Sequence, residues 1–315
     1  MSATESSSAI DRVLGLVGAD DEADVAGKLD IAKQLLILHA AILAWHALWI
    51  QLVLPSTVMA LGIVSVIALG TSGCFAASLL PRFASWSAPV ALLLLLCNVA
   101  LTLPGTSGHT ILASFCLLFF VVLDERRPEQ SATLLQALKW TVLLVVAWSG
   151  LQKLLYGAWT GGEFLSVAIA TGEPIGAFFE WAVPAAEVAR LQSLDPTLAE
   201  EGPFRADAPM LVPVSNLVWI LQVTLPLGLL HRATRLPAVA ALLALVVVFD
   251  LFAAREVLTS LLLAMLLLLH APRDWIERAY WPLVVLYVAA LGVAMGLLPG
   301  GGLLKGTWVP GRLHL

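Results

Sequence analysis

The sequence predicts an all-α, polytopic integral membrane bundle of about nine transmembrane helices with a cytoplasmic N-terminus, and three observations predict it. Hydrophobic residues fill 60% of the 315 positions and charged ones 12%, about half the charge of an ordinary soluble domain. The mean hydropathy is +0.92. A single aqueous core of this length cannot hide so much apolar surface, whereas lipid solvates it. Finally, basic residues recur on alternate connections between the apolar stretches.

Residues 1–30 form an acidic, Ser-rich N-terminal tail with Asp20, Asp21, Glu22 and Asp24 clustered. The tail lacks the basic n-region of a signal peptide, so it reads as a solvated segment or a short surface helix. A transmembrane domain follows over 31–298, and a short tail over 299–315 completes the sequence. A window of about 20 residues per crossing places the spans at 31–53, 57–80, 88–103, 109–123, 134–154, 211–230, 236–252, 256–270 and 281–298. Only Ala253-Ala254-Arg255 joins the seventh to the eighth. They are kept apart because one helix from Pro237 to His270 would run about 50 Å, against a bilayer core of about 30 Å.

Arg12, Lys28 and Lys33 precede the first span; Arg82, Arg126, Arg127, Arg232, Arg235, Arg273 and Arg278 fall on the same side, and Arg255 is the clear exception. The positive-inside rule then puts the N-terminus in the cytoplasm and, after nine crossings, the C-terminus outside, as in a bacterial inner membrane. Segment 155–210 lies outside by this reading. It is acidic, with eight carboxylates against Arg190 and Arg205, and it carries Phe178, Phe179 and Trp181 in an amphipathic run. A lid or a set of interfacial helices is expected.

Three cysteines, Cys74, Cys97 and Cys116, stand singly in different spans. They lack metal-ligand spacing and read as small apolar packing residues, with no metal site expected. The pI of about 5.7, with no phosphate-binding loop or dinucleotide fingerprint, argues against nucleic acid as a partner. The partner expected first is the lipid bilayer itself.

The most informative stretch is Ser149-Gly150-Leu151-Gln152-Lys153-Leu154, followed by Tyr156-Gly157-Ala158-Trp159-Thr160-Gly161-Gly162-Glu163. A lysine in hydrocarbon is costly unless it snorkels, pairs or loses its proton, and such residues mark functional sites by default. The small-Gly-x-x-Lys-Leu pattern with Trp and Gly after it resembles the lysine-bearing segment of the HTTM family, the membrane domain of vitamin K-dependent γ-carboxylases and their bacterial relatives. The turn Pro104-Gly105-Thr106-Ser107-Gly108-His109 is similar to that family's Asn/His-bearing turn.

The resemblance implies Lys153 as the base that deprotonates a reduced, vitamin K-like quinone, with His109 assisting, and O2 and CO2 as co-substrates of a γ-glutamyl carboxylase/epoxidase type of reaction. The physical need is clear. An amine in water is protonated and cannot accept a proton, while removal from water favours its neutral form. The charge count puts both residues toward the outer side, where they could meet. Trp148 and Trp159, which flank the lysine, are candidates to wall the quinone, as well as members of an aromatic belt.

Carboxylases of this kind carry a large non-membrane domain that grips protein substrates. Its counterpart here is expected on a partner protein. Phe249-Asp250-Leu251-Phe252 stands where the family has a histidine- and asparagine-bearing stretch, and Asp250 is a relay candidate, a Lys153 partner, or an ion-pair partner of Arg255. His39 and His46 are seven apart, on one helical face about 10 Å apart along the axis, too far to chelate one metal alone. They line a polar cavity or satisfy interior hydrogen bonds. Two other functions stay open: a DoxX-like quinone- or electron-handling subunit, and a transporter or lipid-binding scaffold.

Overall fold

The structure is a computed structural model. It describes residues 22–53, 58–102, 107–155, 157, 159–172, 174–180, 183–193, 210–253, 257–295 and 297, and these are helical apart from turns. In chain order the helices are α1 (Glu22–Val53), α2 (Val58–Ser78), α3 (Ala84–Thr102), α4 (Gly108–Val122), α5 (Pro128–Leu155), α6 (Glu163–Ala170), α7 (Pro174–Phe179), α8 (Ala185–Gln192), α9 (Leu211–Gly228), α10 (Arg235–Ala253), α11 (Val257–Leu268) and α12 (Arg273–Ala294). Each of the nine apolar stretches coincides with a helix. Six helices, α1, α2, α3, α5, α9 and α12, are long and apolar enough to cross a membrane, while α4, α10 and α11 are shorter apolar helices. Such helices suit an integral membrane protein, since they satisfy their backbone groups internally.

Several helices outrun the apolar stretches that announce them. The first begins at Glu22 rather than near 31, so part of the acidic tail is helical; the fifth begins at Pro128, and the last at Arg273. Hydropathy marks the hydrocarbon-facing length, but a helix continues wherever its ends are satisfied. Proline at the first helical position is pre-set for that conformation. On α12, Arg273–Glu277 (2.6 Å) and Asp274–Arg278 (3.2 Å) pair across one turn, which supports an exposed helical end.

The chain divides into two compact units, Met1–Thr141 with Glu256–Leu315, and Val142–Arg255. In the first, α1 is the central helix, packed against α2, α3, α4, α11 and α12. Its face of Ala32, Leu35, Leu36, Ile37 and Ala40 is fully buried. At its N-terminal end Lys28 and Lys33 are buried too. Lys33 Nζ donates to Glu125 at 2.6 Å and lies 3.6 Å from Asp30. Burial of such a cation is tolerable only with a close anion.

The second unit starts inside α5 and holds α6 to α10. Segment 155–210 contributes α6, α7 and α8; Leu165, Ala168 and Ile169 of α6, Val183 of the connection before α8 and Leu191 of α8 close a small apolar core with Leu211 of α9. Phe179 packs against this core; Trp181 and residues 194–209 lie outside the described residues.

Candidate functional site

Lys153 occupies the last turn of α5, and its neighbours come from its own helix and the turn after it. Its Nζ donates to Ser149 Oγ at 2.9 Å and, more weakly, to the Ser149 carbonyl at 3.4 Å. Spacing of four places serine and lysine on one face. The same nitrogen is 5.3 Å from the ring centroid of Trp159, within cation–π range. No carboxylate among the described residues pairs with it. The amine is half-buried, and among the described residues its hydrogen bonds go to Ser149 alone.

The turn is built to hold that indole. Gly157 and Gly162 both have φ of +76°, a left-handed conformation that glycine adopts without strain. Thr160 N–H donates to the Gly157 carbonyl at 3.0 Å, and Gly162 N–H to that of Trp159 at 3.3 Å. Trp159 is 8% exposed and stacks on Phe164 of α6 with centroids 4.0 Å apart. From α9, Asn216 Nδ2 donates to the Thr160 carbonyl at 3.0 Å while its Oδ1 accepts from Trp219 Nε1 at 2.7 Å. Asn216 therefore pins the turn. Trp148 is 55% exposed and sits five residues before Lys153, about 140° round the helix from it.

The glycine of the motif has a packing role. A Cβ on Gly150 would lie 2.8 Å from Gln222 Cβ and 3.0 Å from the Trp219 carbonyl, so α5 and α9 touch backbone to backbone there. Helices in lipid use small residues for this close approach. Geometry thus accounts for Gly150 without chemistry, but not for a lysine three residues on.

His109 lies in the other unit, in the first turn of α4. Its Nε2 bonds Ser107 Oγ at 3.0 Å and its Nδ1 bonds Thr259 Oγ1 of α11 at 2.8 Å. The ring meets that of His39 edge-on, with centroids 5.6 Å apart. His39 Nδ1 in turn bonds the hydroxyl of Tyr287 on α12 at 3.1 Å, and its Nε2 is buried with no hydrogen-bond partner among the described residues. Four helices therefore bring a polar cluster together inside apolar surroundings. His46, two turns further along α1, is half-buried.

The two histidine candidates His39 and His109 are brought together, whereas Lys153 belongs to the second unit and is described within it. Asp250 lies on α10, with its side chain outside the described residues, as is Arg255. Among the described residues no group of three or more His, Cys, Asp or Glu is placed to hold a metal ion. Sequence reading passed over Tyr287, Thr259, Phe164 and the role of Ser149. Tyr287 had one signal, a lone tyrosine deep in an apolar stretch rather than at its end.

No family model, curated protein or solved structure matches this chain.

Proposed function

We propose that the chain is a membrane enzyme of the HTTM type, in which Lys153 takes a proton from the hydroxyl of a reduced quinone. The observation that carries this reading is a half-buried amine with no carboxylate partner among the described residues, 5.3 Å from the centroid of the Trp159 ring at the end of a span-length helix. A structural lysine at this depth is normally neutralised by an anion. This one is held by a hydroxyl and an indole, which position it and leave it able to bond a ligand oxygen.

The residues fit such a substrate in kind. An amine can bond a phenolic hydroxyl, and the Trp159–Phe164 stack stands beside it. A bound quinol with O2 and CO2 would supply the oxygenation and carboxylation chemistry. What the chain contributes is proton acceptance at Lys153 Nζ, its orientation by Ser149, and exclusion of water by the turn. His109, bridged between Ser107 and Thr259 in a fixed orientation, is assigned a supporting proton-handling role. From their residue types within apolar stretches, and not from the resemblance, Asp250 remains a candidate proton relay and His39 and His46 candidates to line a polar cavity for the quinone, and a partner protein is assigned recognition of the acceptor substrate. The enzyme is placed in a bacterial inner membrane with nine crossings, the N-terminus inside and the C-terminus outside.

The test is direct. Purified protein is incubated with reduced vitamin K, labelled bicarbonate and a short glutamate peptide, beside Lys153→Ala and Lys153→Arg. Quinone epoxide formation is expected from the unaltered chain, with a loss of about 100-fold or more in both variants, the scale of a general base. Epoxide without label in the peptide keeps the oxygenation half and removes carboxylation. Equal turnover in Lys153→Ala, or no epoxide from well-folded protein, overturns the assignment.

A further inference from the structure

We infer that the groove where α3 begins and α4 ends is a binding site for the head group of an anionic phospholipid. The groove is a cavity of about 390 Å³ whose lining includes the apolar Ala84, Ala88 and Phe120 and the polar Lys33, Arg126 and Gln130, with all of its residues in the first unit. Cavities of this size suit a small ligand or head group.

Charge decides what it takes. The lining includes Lys33, Arg126 and Arg127 against Asp124 and Glu125, an excess of one positive charge. Lys33 is held by Glu125 at 2.6 Å, and Arg127 lies 3.5 Å from Asp124. Asp124 also accepts from the Arg126 backbone N–H at 3.1 Å. The Arg126 side chain is exposed and has no ion-pair partner among the described residues. Both acids are thus engaged by other groups, and the surplus charge sits on Arg126, whose planar donors match phosphate oxygens.

The surface leading to the groove determines that the phosphate carries acyl chains. Along α4, Ile111, Phe115, Leu118 and Val122 are 57%, 51%, 41% and 68% exposed. Their spacing of four, three and four puts them in one stripe, and that stripe runs into the groove at Val122, beside the charged turn. An apolar track ending at an unpaired arginine has the form of a two-part amphiphile. A soluble anion uses only the second part.

The inference rests on the membrane reading and not on the chemistry of Lys153, so binding and turnover fail separately. The full chain is exchanged into nanodiscs of mixed phosphatidylglycerol and phosphatidylcholine, and lipids retained on detergent extraction are counted by native mass spectrometry. Unaltered protein is expected to retain phosphatidylglycerol preferentially. Arg126→Ala should weaken that retention roughly fivefold, the effect of one basic residue near an anionic surface, and Arg126→Glu should abolish the preference. Arg82→Ala, outside the groove lining, should leave it unchanged. Equal retention by Arg126→Ala, an equal loss in Arg82→Ala, or displacement of the lipid by millimolar inorganic phosphate overturns the site.

Discussion

The lysine and the histidines differ in how much of their surroundings a local sequence can reveal. Lys153 is legible because its partners are near: Ser149 is four residues back and Trp159 six residues on. His109 and His39 stand out as residues, but not as a cluster, because Thr259 is 150 positions from His109 and Tyr287 is 248 from His39. Only tertiary packing joins them. The resulting cluster makes a prediction independent of any reaction. His39 already has one ring nitrogen without a partner among the described residues, so Tyr287→Phe would leave the imidazole no hydrogen bond to any of them. Hydrogen bonds between membrane helices contribute about 0.6 kcal/mol on average and a buried orphan about 1–3, so a loss of about 1 kcal/mol is expected. Thermal unfolding in detergent of Tyr287→Phe, His39→Phe and the double variant measures it. The double should cost less than the two singles added, and strict additivity would mean the pair does not interact.

For whole helices, apolar stretches announced the six long apolar helices and the three shorter ones, because a run of apolar residues about as long as the hydrocarbon is thick is written directly in hydropathy. The helix ends were less legible. Salt-bridged turns on α12 carry helix into charged sequence where no apolar window extends. The same limit applies to glycine, whose sequence does not say whether it turns, packs or simply occurs. Gly150 and Gly62 both lie within helices, and they should respond oppositely to added methyls. A side chain on Gly150 meets Gln222 and the Trp219 carbonyl, whereas nothing lies within 4 Å of one added to Gly62. Gly150→Val is therefore expected to destabilise by about 1–3 kcal/mol through overpacking, and Gly62→Ala to be neutral or to stabilise by up to about 1 kcal/mol through helix propensity. Melting temperatures of the two variants in one detergent decide it, and a matching fall in both would remove the close approach of α5 and α9 as the reason for Gly150.

At the scale of the molecule, the number of crossings turns on α10 and α11. The first has 19 residues and the second only 12, about 28 Å and about 18 Å of helix against about 30 Å of hydrocarbon. A helix as short as α11 spans only where the surrounding protein or a thinned bilayer shortens the path. Half of its residues, from Leu261 to Leu268, are buried, and its third residue, Thr259, bonds His109 near the start of another short helix, α4. Buried surroundings of this kind let a short helix end below the membrane surface, because protein rather than lipid meets its polar end. The basic residues then choose between two arrangements. With nine crossings the connection before Arg273 and Arg278 shares a side with Arg126 and Arg127, so a reporter fused after Leu315 should be extracytoplasmic. If α10 and α11 together cross once, the total is eight and the same reporter becomes cytoplasmic. Paired alkaline phosphatase and green fluorescent protein fusions at that position separate the two, since the first is active only outside and the second fluoresces only inside. Phosphatase activity is expected; fluorescence there, with an unaltered N-terminal reporter, would merge the two helices into one crossing and put Arg273 and Arg278 on the outer face, against the charge rule.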